Sequence, residues 1–86
     1  MKVSRQIAAR KMTSYLRHRI SLDALVDWAE RAIMDGQFVG EDAASIRDVV
    51  ARLGLADVRA FGLSWDDCLQ LLRELGYSAN VEVHAT

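Results

Sequence analysis

The 86 residues contain no proline, and that absence removes the strongest device a chain has for breaking a helix. Helix ends must then be written in glycine, and the five glycines read as punctuation between apolar stripes. Four segments carry a helical period. Ser4 caps the first, residues 4–19, with Ala8, Ala9, Met12, Tyr15 and Leu16 on one side and Gln6, Arg10, Thr13, Ser14 and Arg17 on the other. Ile20-Ser21 is a short break, and Ser21 caps a second helix running to Asp35. Its stripe is Leu22, Leu25, Val26, Ala29 and Ile33, with Trp28 and Ala32 at the edge. Gly36 ends it, and Phe38 is an anchor in the loop that follows. A third helix, about 42–53, presents Ile46, Val49, Val50 and Leu53, and Gly54 stands where a left-handed closing residue belongs. Ser64-Trp65-Asp66-Asp67 opens the fourth with a serine cap and an acid three residues on. Cys68, Leu69, Leu72 and Leu75 make its inner face, and Gly76 ends it.

The tail changes period. Residues 77–84 alternate apolar and polar, which predicts a strand with Tyr77, Ala79, Val81 and Val83 on its buried face. A lone strand leaves its backbone groups unpaired, so it calls for a partner. Residues 58–63 are the internal choice, although they read equally well as a helical turn; the others are a second copy of the chain or a strand of another protein. The expected fold is mainly α: one domain over residues 1–86, a compact four-helix assembly with a small C-terminal β element. Its core is expected to include Leu16, Leu25, Ala29, Ile33, Val50, Leu53, Leu69 and Leu72, with Trp28 and Trp65 in the core or at its edge.

A search for chemistry finds little to build on. No glycine-rich loop stands between a strand and a helix with a following Lys-Ser/Thr. Cys68, the one cysteine, lies in a leucine-rich face where a thiol behaves as a small hydrophobe. Neither His18 nor His84 has a second ligand at zinc spacing. Asp23, Asp27 and Glu30 share a face of the second helix, but carboxylates on one straight helix converge poorly on an ion, and Arg31 stands four residues from Asp27. The expectation is a non-enzyme with no catalytic, metal or cofactor site. A single cysteine and an N-terminus that leads into no apolar signal core place it in the cytoplasm. No apolar run approaches the ~20 residues that a membrane span needs.

Charge is the unusual feature. Residues 1–20 hold Lys2, Arg5, Arg10, Lys11, Arg17 and Arg19 with no acid, while the remainder holds five arginines and all twelve acids, for a net charge of −1. Two readings follow. In one, the first helix contacts nucleic acid or another anionic surface through Arg10, Lys11 and Arg17. In the other, which is preferred, the basic helix is steadied by the acidic second helix, within the chain or across a dimer. The six basic residues together scatter around the helix, and few aromatics accompany them. A helix-turn-helix at residues 50–64 fits poorly, because the next helix opens on Asp66 and Asp67, which phosphate repels.

The stretches Tyr15-Leu16-Arg17-His18-Arg19-Ile20-Ser21-Leu22, Leu25-Val26-Asp27-Trp28-Ala29 and Gly62-Leu63-Ser64-Trp65-Asp66-Asp67-Cys68 resemble small bacterial helical proteins of unknown function. That resemblance covers most of the chain and implies no activity and no site residues. The first two helices, over residues 10–35, also resemble small helical bacteriocin-immunity proteins. The functional expectation is therefore a non-enzymatic interaction or regulatory protein with a protein partner, and a homodimer is one form of it. The alternative is a nucleic-acid-associated protein working through the basic first helix.

Overall fold

Serines set three of the four helix starts. The computed structural model describes residues 1–58 and 62–77, in the order β1 (Lys2–Val3), α1 (Arg5–Leu16), α2 (Leu22–Asp35), β2 (Gln37–Phe38), α3 (Ala43–Leu53) and α4 (Trp65–Glu74). Ser4 Oγ accepts from the Ile7 N–H at 3.3 Å and Ser21 Oγ from the Ala24 N–H at 3.1 Å. At α4 the cap is reciprocal: Ser64 Oγ accepts from the Asp67 N–H at 3.1 Å, and the Asp67 carboxylate accepts from the Ser64 N–H at 2.9 Å. Each such cap contributes about 1 kcal/mol by satisfying donors that the first turn leaves without partners.

The helix ends follow the glycines only in part. Gly76 closes α4 in the left-handed conformation, at φ 91°, as expected. Gly54 does not: at φ −65° it stays right-handed. The chain winds on through it, with the Leu55 N–H donating to Arg52 O and the Ala56 N–H to Leu53 O, both at 3.1 Å. Those turns bury Ala56, a gain that a left-handed exit at Gly54 would forgo. Helix α1 ends at Leu16 rather than near residue 19, and no glycine ends it. His18 takes the left-handed conformation instead, at φ 59°. Gly36 ends α2 because the backbone is crowded there. A Cβ would run into the Ala32 carbonyl and lie 3.1 Å from Val3 Cγ2.

That crowding marks the β element. β1 and β2 pair in parallel, Lys2 opposite Gln37 and Val3 opposite Phe38. The Gln37 N–H donates to Met1 O at 2.7 Å and the Val39 N–H to Val3 O at 3.1 Å. Strands of two residues show no period, so nothing in the sequence pattern announces them. The expected strand over 77–84 lies outside the described residues beyond Tyr77, which is not in a strand. Of residues 58–63, Val58 is in a bend and Gly62 and Leu63 are irregular; 59–61 lie outside the description.

The core forms where α2 packs on α1 and α3. Met12, Leu25, Ala29, Ala32, Val49, Val50, Leu53 and Cys68 are fully buried, and β1 adds Val3. Leu16 and Ile33 pack against this core half-buried. Two expectations need correction. Leu71, not Leu69, completes the buried face of α4 with Cys68, Leu72 and Leu75. Trp65 is 52% exposed, because it is the first residue of α4 and the inward arc begins only at Cys68. Among the described residues no helix is long and apolar enough to cross a membrane.

The α4 cap carries a pH signature. The pKa of Asp67 is held below its ordinary 3.8, first by the Ser64 backbone N–H, then by the Ser64 side chain, with a smaller pull from Arg52 at 3.6 Å. A carboxyl depressed in the folded state stabilises above its unfolded pKa, and that contribution is lost as pH falls through the folded value. Asp67→Asn is therefore expected to melt below the parent at pH 7. The gap, read by thermal unfolding, should close as pH drops below about 4.

Candidate functional site

The outward side of α1 is decided by its inward side. Ala8 and Met12 are buried in the core, so Arg10 and Arg17 are left on the opposite side. They are seven residues apart, two turns and about 10 Å along the axis. Gln6, Thr13 and Ser14 lie along the same side, and with Ala9 these residues form one wall of a groove of about 430 Å³. The Thr13 hydroxyl donates to Ala9 O at 2.8 Å, which leaves the groove's donors chiefly to the arginines.

Two helix closures complete it. At the end of α1 the His18 N–H donates to Tyr15 O at 3.0 Å and the Arg19 N–H to Ser14 O at 2.8 Å. This is the paired 5→2 and 6→1 pattern of a Schellman closure, with His18 in the position glycine usually holds. At the end of α4 the Gly76 N–H donates to Arg73 O and the Tyr77 N–H to Leu72 O, both at 2.9 Å, which is the same closure with glycine in place. In each case the residue after the left-handed one folds back over its own helix. Arg19 and Tyr77 both enter the groove this way, and Ser14 and Leu72, whose carbonyls accept the longer bonds, line it too. The half-buried Tyr77 ring lies 5.9 Å from the Arg5 guanidinium.

The groove thus gathers Arg10, Arg17 and Arg19 and, among the described residues, no acid. None of the three makes an ion pair among the described residues; the two ion pairs there are Arg31 with Asp27 and Arg52 with Asp67. Guanidinium forks left without carboxylates are suited to bidentate binding of a carboxylate or phosphate. Of the residues expected to meet an anionic partner, Arg10 and Arg17 are brought together and Lys11 is not. Lys11 Nζ lies 5.8 Å from the Trp28 ring centroid, on the side of α1 that faces α2. Arg19 was missed, because its place depends on a left-handed turn at a residue other than glycine. Tyr77, expected to pair with a partner strand, instead closes α4; Ala79, Val81 and Val83 lie outside the described residues.

A second cleft, of about 230 Å³, lies behind the same turn, between His18, Tyr15, Leu16, Leu63 and Trp65, with Cys68 at its base. Cys68 is fully buried, and burial, followed by the charge of Asp67, pushes its thiol up to about 11. A thiol so protonated is a poor nucleophile. Asp23, Asp27 and Glu30 form no metal-binding cluster, none being found among the described residues. Asp27 instead pairs with Arg31 at 3.1 Å.

Comparison of the chain with protein-family models, with curated proteins and with solved structures gives no significant match in any of the three. The fold and the groove therefore define the class: a small, mainly helical protein with a two-stranded parallel sheet and a cationic groove at the meeting of two helix ends.

Two measurements check this geometry. His18→Gly removes the cost of a side chain at positive φ and is expected to raise the unfolding free energy by roughly 1 kcal/mol, read as a higher urea midpoint at unchanged m value. Cys68 should alkylate on the order of a hundred-fold more slowly in the native protein than in urea, given a thiolate fraction lowered by about two pKa units.

Proposed function

We propose that this chain is a non-enzymatic, cytoplasmic protein-interaction protein that docks an acidic segment of a partner protein along the α1 groove. One observation carries the reading: three arginines line the groove, with no acid among its described lining residues. The chain as a whole is slightly acidic, at −1, so this local excess of positive charge is not a by-product of a basic protein. Cys68, its one thiol, lies in the core, in keeping with an interaction role and a reducing compartment.

Nucleic acid is the competing occupant. Tight, salt-sensitive binding to it comes from neutralising roughly 6–10 phosphates, and the three arginines of one groove fall short of that. Most of the remaining surface charge is acidic and repels a long polyanion, while a short acidic segment meets the groove alone.

The test is fluorescence anisotropy with a labelled aspartate-rich peptide and a single-stranded oligonucleotide of equal charge. The peptide is expected to bind the parent, and the double variant Arg10→Glu/Arg17→Glu to bind it at least about ten-fold more weakly, a loss of roughly 1.4 kcal/mol. Lys11→Glu, on the side facing α2, should weaken it much less. Circular dichroism confirms that each variant folds. Peptide binding indifferent to both arginines overturns the reading, and preference for the oligonucleotide transfers it to nucleic acid.

A further inference from the structure

The groove holds more positive charge than a single carboxylate can answer. Each guanidinium offers five N–H donors in a fixed fork, and Arg10, Arg17 and Arg19 bring three such forks to one cavity. A carboxylate has one charge and two oxygens, enough for one fork. A phosphoryl monoester carries about −1.5 to −2 at neutral pH and three acceptor oxygens, so it can meet forks from more than one arginine at once. The third arginine is also costly to place. Arg19 reaches the groove only through the positive-φ turn at His18, and strain of this kind concentrates at functional sites.

The rest of the cavity indicates what carries the phosphoryl group. Ala9 and Leu72 give it apolar lining, and the half-buried Tyr77 lines it as well. At about 430 Å³ it has room for far more than a bare tetrahedral ion. Apolar lining beside three guanidinium groups suits a charged group borne on methylenes or a ring.

We propose that the groove is a receptor for a phosphorylated side chain of the partner protein, with Arg10, Arg17 and Arg19 clamping the phosphoryl group and Ala9, Leu72 and Tyr77 packing on its carrier. This rests on the reading that the α1 groove takes an acidic segment of a protein, and it makes that docking dependent on phosphorylation.

Three labelled peptides, identical except for serine, aspartate or phosphoserine at one central position, separate the two ideas. Binding is measured by anisotropy to the parent, to Arg17→Lys, which keeps the charge and loses the fork, and to Lys11→Gln as a remote control. Inorganic phosphate is titrated alone against backbone amide shifts. The expected result is phosphoserine tighter than aspartate by about ten-fold or more. Arg17→Lys should lose most of that preference and Lys11→Gln keep it, and phosphate should shift the amides of residues 10–19 and compete with the peptide. Equal binding of the aspartate and phosphoserine peptides overturns the phosphoryl assignment and leaves the acidic-segment reading standing. Failure of all three peptides, with phosphate also without effect, overturns both. Phosphate shifts without binding of any peptide overturn the protein carrier and assign the groove to a small phosphate ester.

Discussion

Burying α2 is the constraint on which the rest of the molecule depends. Leu25, Val26, Trp28, Ala29 and Ala32 are all buried, so this one helix needs cover on more than one side. Helix α1 supplies Ala8 and Met12, and α3 supplies Ile46, Val49, Val50 and Leu53. The alanines of α2 matter as much as its larger side chains, since small residues let neighbouring backbone come close; a Cβ placed on Gly54 would lie 3.9 Å from the Ala29 methyl. The parallel pairing of β1 with β2 follows from the same packing. With α2 in place, Gly36 brings the chain against Val3, and two strands too short to stand alone pair beside a core already formed.

The groove is the other side of that requirement. Once α1 turns Ala8 and Met12 inward, the helical period leaves Gln6, Arg10, Thr13, Ser14 and Arg17 outward. Packing alone would make a solvated stripe of them. The stripe becomes a cavity because α1 and α4 both end in Schellman closures whose final residues, Arg19 and Tyr77, fold back over their own helices and line the same groove. Helix closures are usually described as ways of satisfying carbonyls. Here they also place the residues that define the site.

Charge is divided in the same way. The acids on α2, Asp23, Asp27, Glu30 and Asp35, are all exposed, and Arg31, an arginine of α2 itself, pairs with Asp27. Among the described residues no acid of α2 pairs with a basic residue of α1. Arg10 and Arg17 are therefore not used up in ion pairs with α2, whereas Lys11 is directed at the Trp28 ring and Arg5 at the Tyr77 ring.

The sequence by itself determined the helices. Ser4, Ser21 and Ser64 mark their starts through local side-chain bonds, and the apolar spacing of α2 and α3 names the residues they bury, because cap and period are properties of a few consecutive residues. The side of α1 that carries Arg10 and Arg17 was legible for the same reason. What only the tertiary structure decided are the features that depend on residues far apart in the chain. Strands of two residues exist because α2 brings Gln37 to Lys2, and Gly54 continues to wind because Ala56 gains burial. Trp65 stays exposed because the inward arc of α4 starts three residues later. The groove belongs here too: His18 takes a glycine's conformation so that Arg19 meets Arg10, Arg17 and Tyr77. Local pattern records what a helix prefers, and the packing of one helix end against another settles what surrounds it.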